Sequence, residues 1–119
     1  MGISIHFLSV RGVMTATFTD RVKAALKKIP KGKVSTYGRI AAMAGNPRGA
    51  RQVVRVLHAC SEKDGLPWHR VVNGRGRIAL AKGRGFELQK ALLADEGVPC
   101  STEGRIDLAV FLWPPETEK

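Results

Sequence analysis

Gly45-Asn46-Pro47 interrupts a run of helical periodicity and forces the chain to turn between two helices. Ahead of it, a Ser35 or Thr36 cap leads into Tyr37, Ile40, Ala41 and Ala44, which recur at helical spacing. Gly45 is placed to end that helix in the left-handed conformation. Beyond it, Pro47 suits a first helical position, and Ala50, Val53, Val54 and Leu57 share one face of the next helix. Arg48, Arg51, Arg55 and His58 lie at spacings of 3, 4 and 3 and share another. A short helix, a Gly-containing turn and a second helix with a basic face make the helix-turn-helix pattern. An ordinary helical hairpin with solvated arginines satisfies the same spacing.

The rest of the chain is built around that unit. Phe18, Val22, Ala25, Leu26 and Ile29 predict a helix from Phe18 to Ile29. Thr17 and Asp20 form a capping box at its start, and Pro30 stops it. Residues 61–67 read as a polar loop ending in Pro67, and Val71-Val72 as extended chain. Asn73-Gly74-Arg75-Gly76 reads as a turn, and Ala81 to Gly85 as a basic glycine-rich loop. A last helix is expected over Phe86 to Glu96, with Leu88, Ala91 and Leu92 inward and Gly97 after it. Ile106 to Trp113 is either a short buried strand or a tail packed on the core. The expected fold is mainly α with small β elements, a winged-helix-like helix-turn-helix domain over residues 14–119. Residues 1–13 carry no helical period and read as an N-terminal extension, native or added, with Met14 as an alternative start.

Charge narrows the partner. The formal net charge is +10, and 17 of the 20 basic residues fall between 21 and 90 against only Glu62, Asp64 and Glu87. A basic middle between neutral-to-acidic ends points to a polyanion-binding face, with a solvated basic surface as the bland alternative. The longest apolar run, Leu108 to Trp113, is far too short to span a bilayer. The two cysteines, Cys60 and Cys100, make no disulfide framework, and the first residues lack the charge and cleavage site of a secretory signal. A reducing, cytoplasmic compartment is expected, on the nucleoid if the protein is bacterial. His58-x-Cys60 offers too few ligands for zinc, so neither metal nor cofactor is expected.

Pro67-Trp68-His69-Arg70-Val71-Val72 is unlike generic helix-turn-helix sequences. It resembles the active-site signature Pro-Cys-His-Arg-Val of the O6-alkylguanine-DNA alkyltransferases. The likeness extends over about residues 16–113, through Ser35-Thr36-Tyr37-Gly38-Arg39-Ile40-Ala41, Ala44-Gly45-Asn46-Pro47 and Ala50-Arg51. In that family the cysteine takes the alkyl group from the damaged base. Trp68 stands in its place, as in the alkyltransferase-like branch, which resembles the repair enzymes without transferring the group. Chemistry agrees: a thiolate is a nucleophile that a neighbouring His activates, whereas indole offers one N–H donor and no ionisable proton near neutral pH. What indole does supply is a large flat wall for a base or an alkyl substituent. No catalytic residue is expected.

The resemblance implies roles for further residues. Tyr37 aligns with the tyrosine that helps turn the target nucleotide out of the duplex. Arg51 aligns with the arginine that fills the vacated place, where a planar guanidinium can stack and hydrogen-bond the orphaned cytosine. Flipping costs a few kcal/mol, and less for a poorly paired base. Trp68, His69, Arg70 and Tyr37 form the expected lesion pocket. Tyr37, Arg51, Arg48, Arg55, Thr36, Arg75 and Lys82 form the expected DNA-binding set, with Arg77 as a further phosphate candidate. His69 and Glu96 match a proton relay and, without the thiol, are expected to persist as a structural pair. Arg70 either pairs with a carboxylate or meets DNA. One departure is Ala81, where members of the branch can carry a lesion-reading arginine; Lys82 or Arg84 substitutes, or the contact is missing. The implied function is a non-enzymatic sensor of O6-alkylguanine in double-stranded DNA. It would act as a monomer by nucleotide flipping and signal to nucleotide excision repair proteins. The rivals are a sequence-specific helix-turn-helix regulator, and an enzyme using Cys60 as acceptor or His69 and Glu96 as hydrolytic pair.

Overall fold

The computed structural model describes residues 17–115. The expected extension 1–13 lies outside the described residues, as do 14–16 and 116–119. Helix α1 (Phe18–Lys27) opens on the expected capping box, in which Thr17 Oγ1 accepts from the Asp20 N–H at 3.0 Å and Asp20 Oδ2 accepts from the Thr17 N–H at 3.3 Å. The apolar stripe turns inward, with Val22, Ala25, Leu26 and Ile29 buried. The helix ends two residues before Ile29, where the Lys28 and Ile29 N–H groups reach back only three residues in a tightened last turn.

Strand β1 (Ser35–Thr36) lies parallel to β2 (Val71–Val72), with Ser35 opposite Val71 and Thr36 opposite Val72. Val71-Val72 is extended, as expected; its partner strand lies where the sequence predicts a cap. Thr36 is both, because its Oγ1 accepts from the Arg39 N–H at 3.1 Å and starts helix α2 (Tyr37–Met43). Gly45 follows with φ of 102°.

Helix α3 (Ala50–Asp64) corrects two expectations. It begins at Ala50 rather than Pro47, because Asn46 holds the intervening residues in a turn: its Oδ1 accepts from the Arg48 N–H at 3.1 Å and its carbonyl from Gly49 at 2.9 Å. A proline with fixed φ suits the second position of such a turn as well as a helix start. At its other end α3 runs to Asp64, through residues read as a loop. Their polarity marks a solvated last turn, tied to α1 by the Lys23–Asp64 ion pair at 2.8 Å. Val53 and Val56 are the buried residues of α3, while Val54 and Leu57 are only half-buried.

A 3-10 turn over Trp68–Arg70 leads into β2. Helix α4 (Phe86–Asp95) buries Phe86, Gln89 and Leu93. Leu88 is 56% exposed, so the expected inward stripe is the wrong one. Both stripes have helical spacing, and the inward one contains a glutamine. Its amide donates to the carbonyls of His69 and Val71, each at 3.0 Å, which is why it tolerates burial. The segment from Ile106 to Trp113 is neither simply strand nor tail. Asp107 caps a single turn, α5 (Leu108–Phe111), and Leu112 then bridges to Val34.

Two core clusters result. One joins α1, α2 and α3 around Val22, Leu26, Ile40, Val53 and Val71. The other joins Val34, Val72, Ile78, Phe86, Leu93, Val98 and Ile106. Val71 and Val72 point to opposite clusters, as the two-residue period of a strand requires. The architecture is the mainly helical, helix-turn-helix fold with small β elements that the sequence implies. Among the described residues no helix is long and apolar enough to cross a membrane.

Candidate nucleic-acid interface

Arg51, Arg55 and His58 are exposed on one face of α3, and Arg48 is exposed in the turn before it. Beside that basic face α3 presents a second stripe, Val54, Leu57, His58 and Ser61, which forms one wall of a cavity of about 210 Å³. Tyr37, at the start of α2, and Trp68, in the 3-10 turn, line it as well, together with Leu80 and Gln89. This is smaller than the roughly 300–1,000 Å³ of pockets for drug-sized ligands and suits one flat ring system. Burial pushes the Tyr37 phenol above its ordinary value, so it stays a neutral donor.

Of the four expected pocket residues, the structure brings Tyr37 and Trp68 to the cavity. His69 and Arg70 turn instead to Glu96, just past α4. Arg70 Nε and Nη2 donate to Glu96 Oε1 and Oε2 at 2.9 and 2.7 Å, and Arg70 Nη1 donates to the Ile29 carbonyl at 2.9 Å. His69 Nε2 lies 2.9 Å from Glu96 Oε2, and the Gly32 N–H donates to Oε1 at 3.2 Å. Arg70 chiefly, then His69 and the Gly32 N–H, hold the Glu96 carboxyl down at about 2. This network fixes the turn that carries Trp68. The two rings of that turn meet edge to face, with centroids 6.1 Å apart.

The remaining candidates are dispersed. Thr36 is buried, its hydroxyl committed to the α2 cap. Arg75 borders a separate open groove with Ser101, Arg105 and Asp107. Lys82 sits over the Phe86 ring, 5.7 Å from its centre, beside the exposed Ala81 and Arg84. Cys60 and Cys100 are half-buried free thiols at the margins of the two cores. Among the described residues no three His, Cys, Asp or Glu side chains are grouped to hold a metal. The cavity adds Val54, Leu57, Ser61, Leu80 and Gln89, which lie outside the motifs that carry the sequence expectation. The spacing of Val54, Leu57, His58 and Ser61 is a helical stripe, and carrying the helix on to Asp64 would have exposed it.

A helix-turn-helix whose second helix also walls a ring-sized cavity defines a nucleic-acid-binding class. The sequence profile of the 6-O-methylguanine DNA methyltransferase DNA-binding domain matches residues 17–98. A DNA base-flipping protein of Vibrio parahaemolyticus is 47% identical, over 82% of this chain and 97% of its own. Alkyltransferase-like protein 1 of Schizosaccharomyces pombe is 39% identical, over 82% of this chain and 95% of its own. The crystal structure of S. pombe Atl1 with damaged DNA containing O6-carboxymethylguanine superposes with a TM-score of 0.73 at 39% identity, covering 82% of this chain and 95% of that one. The chain belongs to the family of the 6-O-methylguanine DNA methyltransferase DNA-binding domain.

Proposed function

We propose that this protein binds O6-alkylguanine in duplex DNA by turning the damaged base into the Trp68 cavity, and holds it without transferring the alkyl group. The observation that carries this is the placement of Tyr37 and Trp68 on a ring-sized cavity directly beside the Arg51–Arg55 face of α3. The base enters between the Trp68 indole and the Val54–Leu57 stripe. Tyr37 crowds the nucleotide outward, and Arg51 stacks in the vacated place. Arg48, Arg55, Arg75 and Lys82 hold phosphates. O6-alkylation removes the N1 proton that pairing needs, so the damaged base leaves the stack at lower cost.

Trp68 supplies no nucleophile. His69 and Arg70 are both bound to Glu96, so they hold the wall rather than act on the alkyl group. In this reading residues 14–119 work as one monomeric unit in the cytoplasm, and the held lesion marks the site for nucleotide excision repair. The names of the relatives, a base-flipping and an alkyltransferase-like protein, support the reading.

The test is fluorescence anisotropy at fixed salt with two duplexes that differ only by one O6-methylguanine. The lesion duplex is expected to bind more than tenfold tighter, about 1.4 kcal/mol. Equal affinity would leave a basic DNA-binding domain and favour a sequence-specific regulator. Intact-mass analysis after incubation is expected to show no methyl adduct on the protein.

A further inference from the structure

Two turns meet at the end of β2 away from Trp68. The first, Asn73 to Arg77, is closed by the Asn73 side chain, whose Oδ1 accepts from the Arg75 and Arg77 N–H groups at 2.9 and 3.1 Å. The second, Ser101 to Arg105, is closed by the Ser101 hydroxyl, which accepts from the Glu103 and Arg105 N–H groups at 3.2 and 3.0 Å. The Ile78 N–H donates to the Gly104 carbonyl at 2.9 Å and the Ile106 N–H to the Gly76 carbonyl at 2.7 Å, which puts Arg77 directly opposite Arg105 in an antiparallel bridge. Gly76 permits this approach, since a Cβ there would lie 2.9 Å from the Ile106 carbonyl oxygen.

Hydrogen bonds that flank a pair in this way leave its two side chains on one face at the closest cross-strand spacing. Like charges so placed repel and weaken the pairing. Among the described residues neither guanidinium has a carboxylate partner, and nor does that of Arg75. Arg75 and Arg105 are exposed and line an open groove of about 470 Å³ at the junction of the turns. Asp107 lines it too, with Oδ1 accepting from the Ala109 N–H at 3.0 Å. Three arginines against one carboxylate leave a charge that an anion from outside the chain would balance.

We propose that this groove is a second DNA-backbone site, in which Arg105 joins Arg75 in holding phosphates of the duplex that flanks the lesion. Arg75 lies seven residues after Trp68, and a chain of that length spans at most about 25 Å. That is about seven base pairs of duplex at roughly 3.4 Å each. An acidic peptide would satisfy the same charges, but the occupant of the Trp68 cavity brings duplex DNA within that distance. The inference rests on the reading that the cavity holds a base flipped from duplex DNA.

The experiment uses the full chain as wild type, Arg105→Ala and Arg105→Lys. Only the backbone of Arg105 takes part in its turn, so alanine preserves it. Anisotropy titrations at several salt concentrations compare an O6-methylguanine duplex with ten base pairs on each side of the lesion, its undamaged twin, and two lesion duplexes cut to three base pairs on one side or the other. Arg105→Ala is expected to weaken binding of the long lesion duplex by about threefold to tenfold and to reduce the slope of log K against log salt by about one. Arg105→Lys, which keeps the charge, is expected to retain most of the affinity. Cutting one flank, and only one, is expected to abolish the difference between wild type and Arg105→Ala. Affinity and slope that Arg105→Ala leaves unmoved overturn the groove as a DNA site and favour an acidic peptide there. A difference that persists with both cuts, or vanishes with both, overturns the flanking position. Equal affinity of the wild type for the two long duplexes overturns the cavity reading instead, and the Arg105 contact is then read from the salt slope on undamaged DNA.

Discussion

At the scale of single residues the proposed function turns on position 68. A cysteine at position 68 would place a nucleophile beside His69; Trp68 places an indole plane there and removes the reactive atom. Truncating it should therefore spoil discrimination more than affinity. Trp68→Ala is expected to reduce the preference for an O6-methylguanine duplex over its undamaged twin by about tenfold, near 1.4 kcal/mol, while Arg51→Ala weakens lesion binding itself by about 1–3 kcal/mol. Anisotropy with both duplexes separates the two effects, and an unchanged preference in both variants would reject the pocket assignment. Tyr37 and Trp68 were legible in the sequence because they sit in short motifs whose residues are neighbours along the chain. Ser61 was not. It lies in a polar run that reads as loop, and only the fold reveals that its hydroxyl is buried without a partner. Arg70 was visible as a motif residue, but motif membership does not say which way a side chain turns. The choice of Glu96 over the cavity is made by a carboxylate 26 residues away.

At the scale of elements, the turn that carries Trp68 is held by ionic hydrogen bonds rather than by regular structure. Glu96 receives Arg70, His69 and the Gly32 N–H together, and so ties the 3-10 turn to the end of α4 and to the loop after α1. Its carboxyl is held at about 2 against an ordinary 4.5. The folded state thus binds fewer protons than the unfolded one, so this stabilisation is complete above about 4.5 and disappears as pH falls toward 2. Glu96→Gln is expected to lower stability by about 3 kcal/mol at neutral pH, since it leaves Arg70 without its charge partner. Denaturant melts should show the gap between wild type and variant closing through that acid window; a constant gap would reject the role. Elements with strong local signals, such as the Thr17 capping box and the Gly45 turn, were read correctly from sequence. Those with ambiguous signals were not. Two stripes of α4 share one period, so spacing does not say which one turns inward, and the short β1 strand is invisible in local sequence because parallel pairing is a long-range contact.

The whole molecule adds its field. With a formal net charge of +10 concentrated between residues 21 and 90, most non-specific affinity should come from phosphate contacts. The four phosphate contacts proposed above, from Arg48, Arg55, Arg75 and Lys82, predict a slope of log K against log salt of about −3 to −4. Affinity for undamaged duplex is then expected to drop by about a hundredfold between 50 and 200 mM salt. A titration series would measure it directly, and a slope near zero would dismiss the electrostatic footprint. The preference for the lesion should change much less over the same range, because both duplexes carry the same phosphates.

Val71 and Val72 give the turn that carries Trp68 an unusual mechanical anchorage. Three residues after Trp68, two adjacent side chains are sunk in different cores, so the strand works like a rivet through two plates. Sliding it by one residue would leave a valine in one core and drive Arg70 or Asn73 into the other. A polar side chain in a core is costly, so the strand that follows Trp68 is pinned by both halves of the fold. Amide protons of Val71 and Val72 should accordingly exchange at the rate of global unfolding, and those of the loop from Ala81 to Gly85 far sooner. Under the proposed function such a backing suits a receptor for a base pulled from its stack: the ligand would arrive by deforming DNA and meet a surface anchored in two cores.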